Sequence, residues 1–165
     1  MDHSIRIATA SDADRIAEIY NHYIANTVVT FEEEPVAGDE MRRRMDDVFA
    51  AALPWLVAES GGRVVGYAYA TKWKARSAYR FSVETTVYLA DGLGKFGLGS
   101  RLYDELFRLL KEKGIHAAIG GIALPNDASV ALHEKFGMRK VAHFDEVGFK
   151  FGKWVDVGYW ELILR

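Results

Sequence analysis

The stretch Val83-Glu84-Thr85-Thr86-Val87-Tyr88-Leu89 runs into Gly92-Leu93-Gly94-Lys95-Phe96-Gly97-Leu98-Gly99-Ser100. Leu98, Leu102, Leu106, Leu109 and Leu110 then follow at helical spacing. The reading is an apolar strand, a glycine loop and an amphipathic helix in direct succession. Glycines between strand and helix let backbone N–H groups approach a ligand closely. The helix start adds unpaired donors and partial positive charge. Together they form a seat for a phosphate-bearing cofactor, with Glu84 just upstream of it.

Two frames fit the same letters. Gly92, Gly94 and Gly97 match the G-x-G-x-x-G dinucleotide fingerprint in its strand–loop–helix context, which reads as a dinucleotide-dependent oxidoreductase. The frame from Gly94, G-K-F-G-L-G, is instead a loop that ends on the first helical turn, as used for the pyrophosphate of coenzyme A. The dinucleotide frame expects an acidic residue about 20 positions on, at the end of the next strand. Glu112 has that spacing but falls in the last turn of the helix, and the next strand ends in Leu124-Pro125-Asn126.

Composition sets the outer bounds. A chain of 165 residues, half of them hydrophobic, suits one domain with a sizeable core. The 21 basic and 23 acidic residues leave a net charge of −2, which gives no electrostatic case for nucleic acid or a membrane surface. With no cysteine, disulfides, thiolate metal sites and a cysteine nucleophile are excluded. Met1-Asp2-His3-Ser4-Ile5-Arg6-Ile7 has no apolar signal core, and no run approaches membrane-spanning length. A cytoplasmic protein is the expectation.

Outward from the glycine loop, the chain alternates short elements without a linker or repeat. Ser4 to Ala8 reads as a strand, with Ser11 capping a helix that carries Ile16, Ile19, Tyr20, Tyr23 and Ile24 on one face. A polar loop covers 26–37. Met41, Met45, Val48, Phe49 and Ala52 make a second helical stripe, closed by Pro54. Residues 55–59 and 63–73 read as strands joined by the hairpin signal Gly61-Gly62. A loop from Lys74 to Arg80 leads into a strand at 81–89, and after the glycine loop and third helix Gly114 is placed to end that helix. Residues 117–124 read as a buried strand and 127–136 as a short helix stopped by Gly137. Strands near Val141 and over 155–164 complete an α/β single domain over residues 1–165, a mixed sheet with helices on both faces.

This order, with the glycine loop on the third helix, resembles the GCN5-related N-acetyltransferase (GNAT) superfamily. Six stretches are similar to its phosphinothricin N-acetyltransferase branch: Tyr20-Asn21-His22-Tyr23-Ile24, Trp73 to Tyr79, Val83 to Tyr88, Gly97 to Ser100, Leu124 to Val130 and Leu132-His133-Glu134. Gly148-Phe149-Lys150 and Gly152 to Gly158 extend the match over nearly the whole chain. The resemblance implies a mixed, mostly antiparallel sheet splayed in the middle. It also implies acetyl-CoA as co-substrate, a small amino-acid-like amine such as phosphinothricin or methionine sulfoximine or sulfone, and a homodimer. The family often carries Gln or Arg at the first position of the cofactor loop; this chain has Gly94, and Lys95 then supplies the positive charge.

Acetyl transfer to an amine needs the neutral amine, yet an α-amino group has a pKa of about 8. A desolvated carboxylate suits the role of general base. Glu84 is the candidate, against the plain reading of an acidic residue on a solvent-facing strand position. The resemblance implies that backbone at Val87, Tyr88 and Leu89 pairs with the pantetheine arm and that an N–H there meets the acetyl oxygen. It implies a cofactor seat from Lys95, Phe96, Gly97, Leu98, Gly99 and Ser100, with Asn126 and Ser129 opposite. Asn126 also reads as a helix cap.

His133 stands where most of the superfamily places a tyrosine that protonates the thiolate. An imidazole there acts as acid or relays the amine proton, or is a packed, hydrogen-bonded residue. His3, His22, His116 and His143 have no such setting, and no pair has metal-ligand spacing, so no metal is expected. Lys74 and Arg76 are candidates for an anionic group of the substrate, Arg as the bidentate fork, or are simply solvated loop charges. Phe31, Tyr79 and Thr86 are candidates for the same substrate pocket. Trp154, Tyr159 and Trp160 line a dimer interface or pack in the core. Without cysteine no acyl-enzyme on sulfur forms, so direct transfer in a ternary complex is implied. A non-catalytic acyl-CoA-binding module is the further alternative.

Overall fold

The computed structural model describes residues 2–165. Over these residues, strands β1 (Ser4–Ile7), β2 (Trp55–Ser60), β3 (Arg63–Lys72), β4 (Ser82–Leu89), β5 (Ala117–Leu124), β6 (Arg139–Lys150) and β7 (Lys153–Ile163) form one sheet in the order β1-β2-β3-β4-β5-β7-β6. Helices α1 (Ala13–Asn26), α2 (Gly38–Ala50), α3 (Leu98–Glu112) and α4 (Asp127–Lys135) cover it. Every neighbouring pair is antiparallel except β4 and β5. That topology is not a doubly wound parallel sheet, so the dinucleotide frame of the glycine loop lacks its fold. No helix among the described residues is long and apolar enough to cross a membrane.

The strand alternation assigns the two faces. On one, Tyr67 and Tyr88 pack with Tyr20 and Tyr23 of α1 through edge and tilted ring contacts. On the other, Gly66 leaves room for the Leu89 side chain, and Leu98, Leu102, Leu106 and Leu110 of α3 are fully buried. The Gly61-Gly62 turn has both residues at positive φ (56° and 76°), matching the right-handed twist of the β2–β3 hairpin.

Three details depart from the sequence expectation. Ser11 is not the cap of α1: residues 10–12 form a 3-10 turn in which Asp12 accepts the Thr9 N–H at 2.8 Å and pairs with Arg6. Arg6 holds the Asp12 carboxyl below the usual range. The α2 stripe stops short of Ala52, which is left-handed (φ 59°) and lets the Leu53 N–H reach back to Val48 O. Strand β6 is much longer than the apolar letters near Val141 suggest, because a bulge between Phe144 and Gly148 breaks its alternation.

The feature that positions the site is a gap in the sheet. Strands β4 and β5 pair only at Ser82↔Ala117, Val83↔Ala118 and Glu84↔Ile119, then diverge although both continue for several residues.

Candidate active site

Hydrogen bonds from Trp73 N to Ser82 O and from Ala90 N to Val65 O fix the phase of the β3–β4 ladder. Antiparallel strands alternate, so the backbone of residues 84, 86 and 88 faces β3. Val87 and Leu89 therefore turn their N–H groups into the gap that β5 has vacated. The Leu89 carbonyl is already taken by the Tyr23 hydroxyl at 2.5 Å. The sequence offered Val87, Tyr88 and Leu89 together; Tyr88 contributes its ring instead.

The gap opens into two connected cavities. The outer one, about 580 Å³, is lined by Leu89, Gly94, Gly97, Gly99, Ser100 and Leu132 among others. The inner one, about 200 Å³, is lined by Glu84, Thr86, Tyr103, Gly121 and His133. Val29, Val87, Tyr88, Asn126 and Ser129 line both. Gly97 is left-handed (φ 68°) directly before α3, so the helix's first N–H groups face the outer cavity without a side chain in front of them. Lys135 reaches across from α4 and donates to Ser100 Oγ at 3.0 Å, putting a cation at the mouth. This donor set fits a phosphate-bearing thioester arm: backbone N–H groups along the gap, a helix N-terminus and a lysine at its outer end.

Part of the expected seat faces elsewhere. Phe96 is 64% exposed beside a separate hollow with His3, Leu93 and Arg101. Leu98 is wholly buried in the core and offers only backbone. Lys95 is exposed and lines neither cavity. The left-handed turn at Gly97 presents backbone to the cavity, which leaves these side chains outside it. Asn126 has its capping role, its Oδ1 accepting the Ser129 N–H at 3.1 Å, while also lining the cavity.

Glu84 projects to the α1–α2 face. Gly121 on β5 lies against it: a Cβ there would sit 3.5 Å from Glu84 Oε1 and 3.0 Å from the Tyr159 ring. Burial pushes the Glu84 carboxyl above the ordinary carboxylate range, and the Lys74 charge partly opposes that. A carboxylate so raised takes a proton more readily than an exposed one. Removing the opposing charge has a defined sign. In Lys74→Ala the acidic limb of the kcat/KM profile moves to higher pH, whatever happens to its height; a limb that stays or moves down would separate Lys74 from Glu84.

His133 lies on the opposite face, 3% exposed, where the absent Gly120 side chain makes room for its ring. Its Nδ1 is 2.7 Å from Ser129 O, and a carbonyl only accepts, so Nδ1 carries the proton. Burial lowers the pKa of the ring and favours the neutral form. Nε2 is then the acceptor for the Tyr103 hydroxyl at 3.3 Å. Tyr103, itself buried with its pKa raised by that burial, was not picked out from the sequence. Thr85 Oγ beside them is buried with no partner. If this pair handles a proton together, His133→Phe and Tyr103→Phe each slow turnover by about tenfold or more. The double variant then slows little further. Additive losses would mean independent roles, and unchanged turnover with a lowered Tm would mean packing alone.

Lys74 lies 5.0 Å from the Trp73 ring centroid and Arg76 5.8 Å from that of Tyr79. Among the described residues neither cation has an ion-pair partner. Thr86 lines the inner cavity, opposite Tyr69 of β3. Phe31 packs its ring onto Gly148 of β6. The three late aromatics separate: Trp160 is core, Tyr159 lies against Gly121 beside Glu84, and Trp154 is 64% exposed. His143 sits on the outer hairpin with Asp145 and Asp156, both its nitrogens engaged, by Lys140 and Asp156 at 2.8 Å each.

A mixed sheet split beside a glycine loop, with a buried carboxylate at the split, is a geometry that fits an acyl-CoA-dependent transferase. The chain belongs to the GNAT acetyltransferase family: the acetyltransferase (GNAT) domain matches residues 5–158. It is 42% identical to a phosphinothricin N-acetyltransferase from Streptomyces viridochromogenes over 95% of this chain and 85% of that one. It is 33% identical to an L-methionine sulfoximine/L-methionine sulfone acetyltransferase from Salmonella typhimurium, over 98% and 94% of the two chains. A phosphinothricin acetyltransferase from Sinorhizobium meliloti, solved in complex with acetyl-CoA, superposes with a TM-score of 0.96 at 34% identity, covering 99% of this chain and 89% of that one. The protein is an N-acetyltransferase that uses acetyl-CoA as co-substrate.

Proposed function

We propose that this enzyme acetylates the amino group of a small amino-acid analogue of the phosphinothricin or methionine sulfoximine type, by direct transfer within a ternary complex. The observation that carries this is the raised, half-buried Glu84 carboxylate at the end of the β4–β5 pairing, where the gap begins. Acetyl-CoA supplies the thioester. Glu84 takes the proton from the amine nitrogen, directly or through a water, on the α1–α2 side of the sheet. The Val87 N–H donates to the acetyl oxygen as negative charge develops there. Asn126, Ser129, the α3 N-terminus and Lys135 hold the remainder of the arm. The amine nitrogen bonds to the acetyl carbon and the C–S bond breaks. The departing CoA thiolate takes a proton from the Tyr103–His133 pair at the inner end of the cavity, and solvent then restores that proton. Arg76, with Lys74, receives the acidic group of the amine, between Tyr79 and Phe31. The names of the relatives above support this choice of substrate.

A homodimer accompanies this reading. Strand β6 is an edge strand, and Phe144, Val147, Phe149, Phe151 and Trp154 of the β6–β7 hairpin are all more than half exposed. An edge with such a patch favours association with a second copy. Trp154→Glu shifts the parent's sedimentation from dimer to monomer; an unchanged coefficient would place the interface elsewhere. A cytoplasmic setting is consistent with a chain free of cysteine.

The function is tested by ligand stabilisation and initial rates. Acetyl-CoA, not NAD(H), raises the Tm. Double-reciprocal plots with an amine intersect, as a ternary complex requires. Parallel lines would contradict direct transfer, and stabilisation without CoA thiol release across an amine panel would point to a binding module.

A further inference from the structure

Lys150 is a buried ionisable group that the chemistry above does not use. It lies near the end of β6, 1% exposed, and its Nζ donates to the backbone carbonyl of Thr30 at 2.8 Å. Lysine is among the residues least often fully buried, because an ammonium loses much of its hydration there. Burial pushes its pKa down, opposed by the through-space charges of Glu33 and Glu32. A cation kept in such a place needs a reason beyond packing.

The reason lies two residues back on the same face of β6. Gly148 has no side chain, and the Phe31 ring fills the space that a Cβ there would take. Two neighbours on the α1–α2 connection, Thr30 and Phe31, are thus held by two same-face positions of one strand. The connection has no strand ladder: Tyr20 meets the Thr30 hydroxyl at 2.7 Å and Asn21 and Arg44 hold Val36 and Glu32, while Lys150 takes the Thr30 carbonyl. Val29 and Thr30 line the inner cavity with Glu84.

We propose that Lys150 and Gly148 form a clamp that fixes Thr30 and Phe31, and through Thr30 the acceptor side of the inner cavity, making them positioning residues that set which amine fits. This rests on the acetyltransferase reading for the word acceptor, not for the clamp itself. Lys150 ties the Thr30 backbone and Gly148 admits the ring of the next residue, Phe31. Neither touches the seat of the cofactor.

The test uses Lys150→Met, Lys150→Gln and Gly148→Ala in the full chain. Lys150→Met keeps length and removes the donor, Lys150→Gln keeps an N–H for the Thr30 carbonyl, and Gly148→Ala displaces Phe31 while leaving the cation. Lys150→Met and Gly148→Ala each raise the KM of the best amine about tenfold or more, the scale of a lost buried charged hydrogen bond or a displaced wall. Lys150→Gln is intermediate, and the KM for acetyl-CoA stays within twofold in all three. Hydrogen–deuterium exchange of residues 27–37 is faster in Lys150→Met and Gly148→Ala, with α3 and the glycine loop unchanged. That second readout needs no turnover, so it decides the clamp even if no amine is acetylated, an outcome that would count against the function alone. Should Lys150→Met fail to fold, Gly148→Ala carries both readouts. Unchanged exchange in 27–37 overturns the clamp. Faster exchange with an unchanged amine KM overturns its role in amine selection, and a rise shared by both KM values does the same.

Discussion

Glu84→Gln lowers kcat by about 10²-fold or more at neutral pH, the usual scale for loss of a general base, while acetyl-CoA affinity barely moves. The amide has nearly the shape of the carboxyl and fits the same space beside Gly121 and Tyr159. It cannot take a proton from the amine. Stability follows the opposite direction. Burial places the folded-state carboxyl pKa above its unfolded value. Between the two values the folded chain holds more proton, so stability falls as pH rises through that window. At neutral pH the ionised carboxylate is therefore a cost, and Glu84→Gln keeps or raises the Tm. Lost activity in a protein of equal or greater stability separates chemistry from unfolding. Activity within threefold of the parent at pH 7 would remove Glu84 from the role of base.

Arg76→Ala raises the KM for an amino-acid-like amine by one to two decades. A charge-assisted bidentate contact contributes about 1.5–3 kcal/mol, which converts to that range. The guanidinium lies beside the Tyr79 ring, with no carboxylate of this chain competing for it among the described residues. The KM for acetyl-CoA stays within about twofold, since uniform binding of one substrate alone is removed. A simple amine without the acidic group is acetylated equally poorly by parent and variant. Measuring both amines against both proteins closes the cycle. If the two respond alike, the acidic group is held elsewhere.

The β4 strand, the glycine loop and the helix after it were legible because their signals are local, whereas the split of the sheet was implied only by the family resemblance. A β-branched strand, positive-φ glycines and a leucine stripe each report on a few consecutive residues. Glu84 stood out as a carboxylate in an apolar strand, but those letters equally fit a solvent-facing position, and its burial comes from the way Gly121 and Tyr159 pack beside it. Tyr103 was not. It sits one turn into α3 among buried leucines, where an aromatic reads as core, and it meets His133 only because α4 packs beside α3. The opposite facing of Glu84 and His133 was hidden too, since it depends on how β5 diverges from β4. Lys150 reads as a solvated strand-end lysine until the α1–α2 connection folds back over it. Phe96 and Lys95 had the letters of a ligand loop, but a left-handed glycine decides that backbone, not side chain, faces the cavity. The extent of β6 was lost in a bulge, where polar residues interrupt the alternation that marks a strand.

The most direct measurement incubates the enzyme with acetyl-CoA and phosphinothricin, methionine sulfoximine, methionine sulfone and ordinary amino acids in turn. Free CoA thiol and the N-acetylated amine are followed together by mass spectrometry. The account predicts equal amounts of thiol and N-acetyl product for at least one of the amino-acid analogues, with Glu84→Gln slowing both signals by the same factor. Thiol release without N-acetyl product, or equal rates in parent and Glu84→Gln, would contradict it.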